Sequence, residues 1–137
     1  MPTYSSAWVA IIDDDESVRR SISRFLSIHG IRAEAYGSAD EYVERPFGDP
    51  PACIVLDAQL GAGMSAFELL DRMALEGIRL PVIFITGLVE LQPALCGRYP
   101  ELRFTLRKPF DPVALITRVR YHLRAAGGVA PAIDTPS

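Results

Sequence analysis

Asp13 and Asp14 follow the apolar run 7–12, Asp57 closes the run 53–56, and Thr86 closes the run 81–85. Lys108 comes directly after an alternating stretch, 102–107. Each of these polar groups stands where a run of strand-like residues stops. Taken singly, an aspartate behind a strand reads as a helix cap, Thr86 before Gly87 as turn chemistry, and Lys108 before Pro109 as a solvated strand end. Brought to one place they read differently. Three carboxylates within about 5 Å repel by roughly 3 kcal/mol per pair at an effective dielectric near 20. Such a cluster persists only when protonated or when a cation sits among its members. A small, open set of oxygen ligands suits Mg²⁺ better than zinc or a caged calcium ion. A divalent ion, a lysine and a hydroxyl around one free carboxylate are the parts that phosphoryl transfer requires.

Placing these groups together is a task for the fold. Residues 7–12, 53–57 and 81–86 are continuously apolar before their polar ends, the pattern of strands covered on both faces. Residues 31–36 and 102–107 alternate, the pattern of half-exposed strands. In 102–107, Leu102, Phe104 and Leu106 form the apolar set, so Phe104 is expected in the core. Between the strands lie helical patterns. Val18, Ile22, Phe25 and Leu26 share one face of a helix that Gly30 stops. Ser38 caps a short helix through about Glu44, and Phe67, Leu69, Leu70, Met73 and Ala74 belong to a third helix stopped by Gly77. Residues 88–101 carry Pro93, Gly97 and Pro100 and predict an irregular fourth helix. Asp111-Pro112 opens the last helix, through about Ala125. There Val113, Ile116, Val119 and Leu123 make the core face, with Leu115 and Tyr121 elsewhere on the circumference.

Strand and helix therefore alternate five times, which predicts a parallel α/β sheet with helices on both faces. The two half-exposed strands, second and fifth in sequence, belong at the edges. The resulting order, 2-1-3-4-5, is that of the flavodoxin-like fold, a three-layer arrangement with five helices. In it the C-terminal ends of strands one, three, four and five meet at one edge, where ligands of such sheets bind.

The 137 residues suffice for one domain, read as 7–125, between an extension over 1–6 and a disordered tail over 126–137. A net charge of −3 gives no basic footprint for nucleic acid. No apolar run reaches the ~18 residues of a membrane span, and Met1–Ser6 lacks a signal-peptide layout. Cys53 and Cys96 have no metal-ligand spacing and read as buried thiols in a reducing compartment, so a cytoplasmic location is expected.

The segments Ile12-Asp13-Asp14-Asp15-Glu16-Ser17-Val18-Arg19, Val55-Leu56-Asp57, Phe84-Ile85-Thr86-Gly87 and Lys108-Pro109-Phe110 resemble, in this order and spacing, the receiver domain of two-component response regulators. The first and last resemble the subclass found in nitrogen-fixation regulators. The resemblance implies that Asp57 is the phosphoacceptor. Asp14 is then a direct Mg²⁺ ligand, Asp13 orients a metal-bound water, and the Gln59 carbonyl is a further ligand. Thr86 hydrogen-bonds the phosphoryl oxygen, and Lys108 pairs with it ahead of a cis peptide to proline. Asp15 has no role in this pattern and reads as a solvated turn residue. The implied partners are a sensor histidine kinase or phosphotransfer protein upstream. Downstream stands another protein, or the chain's own output domain if it is part of a longer regulator. A second copy of the chain is a further candidate.

The chain also departs from the family. Receivers commonly carry Pro-Gly-Met-Ser-Gly after the acceptor loop begins; here the loop is Ala58-Gln59-Leu60-Gly61-Ala62-Gly63-Met64-Ser65-Ala66, without that proline and with one extra residue. The family's switch aromatic, three residues before the lysine, is Thr105, and Tyr99-Pro100-Glu101-Leu102 replaces the usual small residues. These departures motivate a second reading, an interaction module that works without phosphorylation. A hydrolase with an aspartyl nucleophile is disfavoured, because such enzymes place a second aspartate where Gln59 stands. A Rossmann dinucleotide site is disfavoured too, since aspartates replace the Gly-rich loop after the first strand. Gln59 and Leu88 are expected to tune water access and hence self-dephosphorylation.

Overall fold

The computed structural model describes residues 7–46, 48–87 and 93–126. The sheet is built from β1 (Trp8–Ile12), β2 (Arg32–Tyr36), β3 (Cys53–Asp57), β4 (Val82–Thr86) and β5 (Leu106–Arg107), all parallel and in the order β2-β1-β3-β4-β5. Helices α1 (Glu16–Ile28), α2 (Ala39–Val43), α3 (Ala66–Leu75), α4 (Pro93–Arg98) and α5 (Pro112–Ala126) complete the alternation. Every residue of β1, β3 and β4 is buried, whereas β2 and β5 are half-exposed. The exposure argument for the edge strands therefore holds. The proposed extension and tail lie outside the described residues, apart from Ala126 at the end of α5.

The pleat sorts the apolar side chains into two cores. Trp8, Ala10, Ile12, Ile54, Leu56 and Phe84 pack with Tyr42, Leu69 and Met73 of α2 and α3 on one face. Val9, Ile11, Val55, Ile83 and Ile85 meet Ile22 and Leu26 of α1 and Leu115, Ile116, Val119 and Leu123 of α5 on the other. Each such Leu, Ile, Val or Phe stabilises the fold by about 1.5–3 kcal/mol when buried. Caps set the helix starts: Ser38 accepts from Glu41 N at 3.0 Å, and Ser65 and Glu68 form a reciprocal capping box. Burial pushes the Cys53 thiol up to about 12, so it is a packing group rather than a nucleophile.

Three expectations are corrected. The last strand is Leu106–Arg107 alone, because Pro100–Phe104 forms a 3₁₀ turn. Within that turn Leu102 is buried but Phe104 is 62% exposed, with the Arg118 guanidinium 5.3 Å from its ring centroid. Phe104 is therefore not core: a three-residue repeat does not keep positions 102 and 104 on one side as a strand would. On α5, Ile116, Val119 and Leu123 are buried and Tyr121 is exposed as expected, but Leu115 is buried in place of Val113, which is exposed. Val113 lies in the first turn of α5.

Candidate acidic site at the sheet edge

The register carries the expected residues to one level. Ile12 pairs with Leu56, Asp57 with Ile85, and Thr86 with Arg107. The residues at or just beyond those positions, Asp13, Asp14, Asp57, Thr86 and Lys108, therefore share the C-terminal edge. Asp13, Asp57 and Thr86 are buried and Asp14 is exposed. One carboxylate oxygen from each of Asp13, Asp14 and Asp57 lies within 4.8 Å of the others.

Lys108 spans 51 residues of sequence to donate from Nζ to Asp57 Oδ2 at 3.1 Å, and it stands 2.9 Å from Asp13 Oδ2. It is held over the edge by its own N–H, which donates to the Thr86 carbonyl at 2.8 Å; the peptide that follows it, to Pro109, is cis. Asp57 Oδ1 accepts from Gln59 N at 2.8 Å, which ties the start of the β3–α3 loop to the carboxylate. Ala58 N donates to the Ile85 carbonyl at 2.8 Å and fixes the same segment to β4.

Asp13 Oδ2 is fully buried, and the Lys108 ammonium at 2.9 Å is its close partner among the described residues. A carboxylate oxygen accepts more than one bond, and three carboxylates within 4.8 Å of one another facing a single ammonium fit a hard cation. The donor set is all oxygen and one side is open through Asp14, so the residues present suit a divalent ion that keeps several waters.

Electrostatics at the edge are balanced between burial and pairing. Burial pushes the Asp57 carboxyl up; the Gln59 N–H and Lys108 pull it down, the Asp13 charge raises it, and the net is upward. Burial pulls the Lys108 ammonium down, but its contacts with Asp13 and Asp57 outweigh this and hold it protonated. With a folded value above the ordinary 3.8, the Asp57 carboxyl contributes stability that is complete below 3.8 and is lost as pH rises through the folded value. In metal-free buffer, Asp57→Asn is therefore expected to be more stable than wild type at neutral pH. Urea unfolding at stepped pH should show that advantage shrinking as pH falls through the carboxylate range.

Some supports escaped the sequence reading. Asp15 is not merely a solvated turn residue: it caps α1 by accepting from Ser17 N at 2.9 Å and Val18 N at 3.3 Å. Those bonds, the Ser17 hydroxyl foremost, hold its carboxyl below the usual range. Its own N–H donates to Asp13 Oδ1 at 2.9 Å, and Arg19 Nη1 donates to the Asp13 carbonyl at 2.8 Å. An aspartate ahead of a helical pattern is a legible cap; the two bonds to Asp13 depend on tertiary geometry. Leu88 lies outside the described residues. Away from the edge, Thr105 donates from its hydroxyl to the Leu102 carbonyl at 2.6 Å. The packed aromatic of this region is Tyr99, 4.8 Å from Phe67 between ring centroids and bonded through its hydroxyl to Asp71 at 2.9 Å.

The chain matches the family model described as the response regulator receiver domain over residues 9–120. Nodulation protein W of Bradyrhizobium diazoefficiens is 36% identical over 115 residues, which are 84% of this chain and 50% of that protein. Transcriptional regulatory protein FixJ of Azorhizobium caulinodans is 32% identical over 115 residues, 84% of this chain and 54% of its own. The chain thus spans about half the length of these curated relatives. Among solved structures, a response regulator receiver protein from Burkholderia phymatum superimposes with a TM-score of 0.71 at 36% identity, covering 92% of this chain and 99% of its own.

Proposed function

Because the chain belongs to the response regulator receiver domain family, we propose that it accepts a phosphoryl group on Asp57 from a sensor histidine kinase or phosphotransfer protein and thereby switches a protein-interaction surface. Residues 7–125 are the receiver unit of this reading. The observation that carries it is the Lys108 ammonium standing within 3.1 Å of Asp57 and 2.9 Å of Asp13, beside Asp14.

In the reaction, a carboxylate oxygen of Asp57 bonds to phosphorus as the bond between phosphorus and the donor's histidine nitrogen breaks, the electron pair leaving with the nitrogen. Lys108, already charged and already beside the carboxylate, pairs with a phosphoryl oxygen without having to be recruited. The Thr86 hydroxyl, at the end of β4, hydrogen-bonds another. Asp13, Asp14, Asp57 and the Gln59 carbonyl would hold Mg²⁺, which when bound neutralises charge on the transferring group. The added charge and acceptor oxygens then favour the conformer in which Thr86 closes on the site, with Lys108 already in place. The chain is on this reading a phosphoacceptor with slow self-dephosphorylation, not a turnover enzyme, and it works in the cytoplasm. Its output passes to a downstream protein, a second copy, or an output domain of a longer regulator.

Retention of the whole acidic set with its lysine supports this reading over a phosphorylation-independent module. Incubation with a small acyl phosphate donor and Mg²⁺ tests it by intact mass. Wild type is expected to gain one phosphoryl group and Asp57→Ala none; an unmodified wild type would reject it.

A further inference from the structure

We propose that Asp40, in the first turn of α2, is a positioning residue for the acidic site, acting through the β3–α3 loop. The inference rests on the metal-dependent acceptor reading above and adds to it the residue that holds the loop in place. Asp40 Oδ2 accepts from Met64 N at 3.1 Å, across 24 residues of sequence. Gly63 leaves room for the same oxygen: its φ is +90°, and a Cβ built there would collide with Asp40 Oδ2. The loop so held is the one that departs from the family, without its proline and with an extra residue.

A loop with Gly61 and Gly63 and no proline has many conformations to lose on ordering, at about 1–2 kcal/mol per residue fixed. Bonds at its two ends, Gln59 N to Asp57 Oδ1 and the Ser65–Glu68 capping box, leave residues 60–64 between them. The Met64 N–H to Asp40 bond ties that middle portion to a different element. Its effect reaches the site by two routes. Gln59 supplies the carbonyl at the loop's start. Gly61 lies against Asp14, where a Cβ would stand 2.7 Å from Asp14 Oδ2. The loop backbone thus limits where the exposed Asp14 carboxylate can rest. Asp40 supplies through a side-chain acceptor the restraint that a proline supplies through its ring.

The test compares wild type, Asp40→Ala and Asp40→Asn by calorimetric Mg²⁺ titration and by the rate of phosphoryl uptake at low and saturating Mg²⁺. Removing a group that orients metal ligands typically weakens binding 10–100-fold, and from one step further out about tenfold is expected for Asp40→Ala. Uptake should slow at low Mg²⁺ and recover at saturation. Asp40→Asn keeps a carbonyl oxygen for Met64 N and should stay close to wild type. An Asn variant as defective as Ala would assign the effect to the charge and overturn the inference. So would Asp40→Ala binding as wild type does. Should Asp40→Ala fail to fold, Asp40→Ser, whose shorter side chain withdraws the acceptor from Met64 N, must show the same loss of Mg²⁺ affinity. A wild type that binds no Mg²⁺ removes the acceptor reading, and this inference with it.

Discussion

Lys108→Met is expected to cost the folded chain about 3 kcal/mol in metal-free buffer, the lower end of what removing one partner from a buried ion pair costs. The lower end applies because the Lys108 side chain is 24% exposed, while the carboxylates it faces are buried: Asp13 at 0% and Asp57 at 5%. Without the ammonium, two buried carboxylates face each other with Asp14 near by. The folded chain must then protonate one of them or carry their repulsion. Mg²⁺ should consequently stabilise the variant more than it stabilises wild type, because the ion no longer shares the site with a fixed positive charge. Urea unfolding with and without Mg²⁺ reads both effects. A variant as stable as wild type would mean that the lysine is solvated and that the site is not electrostatically closed.

The second large effect is on the metal itself. A cation that binds only the folded cluster stabilises by about 2.7 kcal/mol at a hundred times its dissociation constant. Wild type should therefore melt several degrees higher in saturating Mg²⁺, in proportion to the logarithm of its concentration. Asp14→Asn should respond little. Removing one of three like charges should also make Asp14→Asn the more stable protein before Mg²⁺ is added, so that the ranking of the two proteins inverts on titration. A general salt effect would move both alike. A flat wild-type response would reject the cation site.

Both expectations rest on groups that could be found without coordinates, for a definite reason. Asp13, Asp57 and Thr86 each end a run of residues buried on both faces, and a parallel sheet must bring such ends to one edge. The order of the strands is readable because residues 31–36 and 102–107 mix polar with apolar positions where the other three runs are wholly apolar. β2 and β5 are the half-exposed strands, although only Leu106–Arg107 of the second stretch is strand. Where two periodicities fit the same residues, the reading failed. Leu102, Phe104 and Leu106 suit a strand, but Pro100 starts a 3₁₀ turn that buries Leu102 and turns Phe104 outward. Asp40 was hidden for another reason. An acidic residue in the first turn of a helix needs no explanation beyond the helix dipole, so nothing local marks its bond to Met64. The same holds for Arg19, whose bond to the Asp13 carbonyl is one turn of helix away from an ordinary solvated arginine.

The decisive measurement locates the phosphoryl group by chemistry rather than by mass alone. After exposure to an acyl phosphate donor and Mg²⁺, borohydride reduces an aspartyl phosphate to homoserine, and peptide sequencing by mass spectrometry finds the converted residue. Conversion at Asp57, and its absence when Mg²⁺ is withheld, is the outcome predicted here. Conversion at Asp13 or Asp14, or at no aspartate, would contradict it.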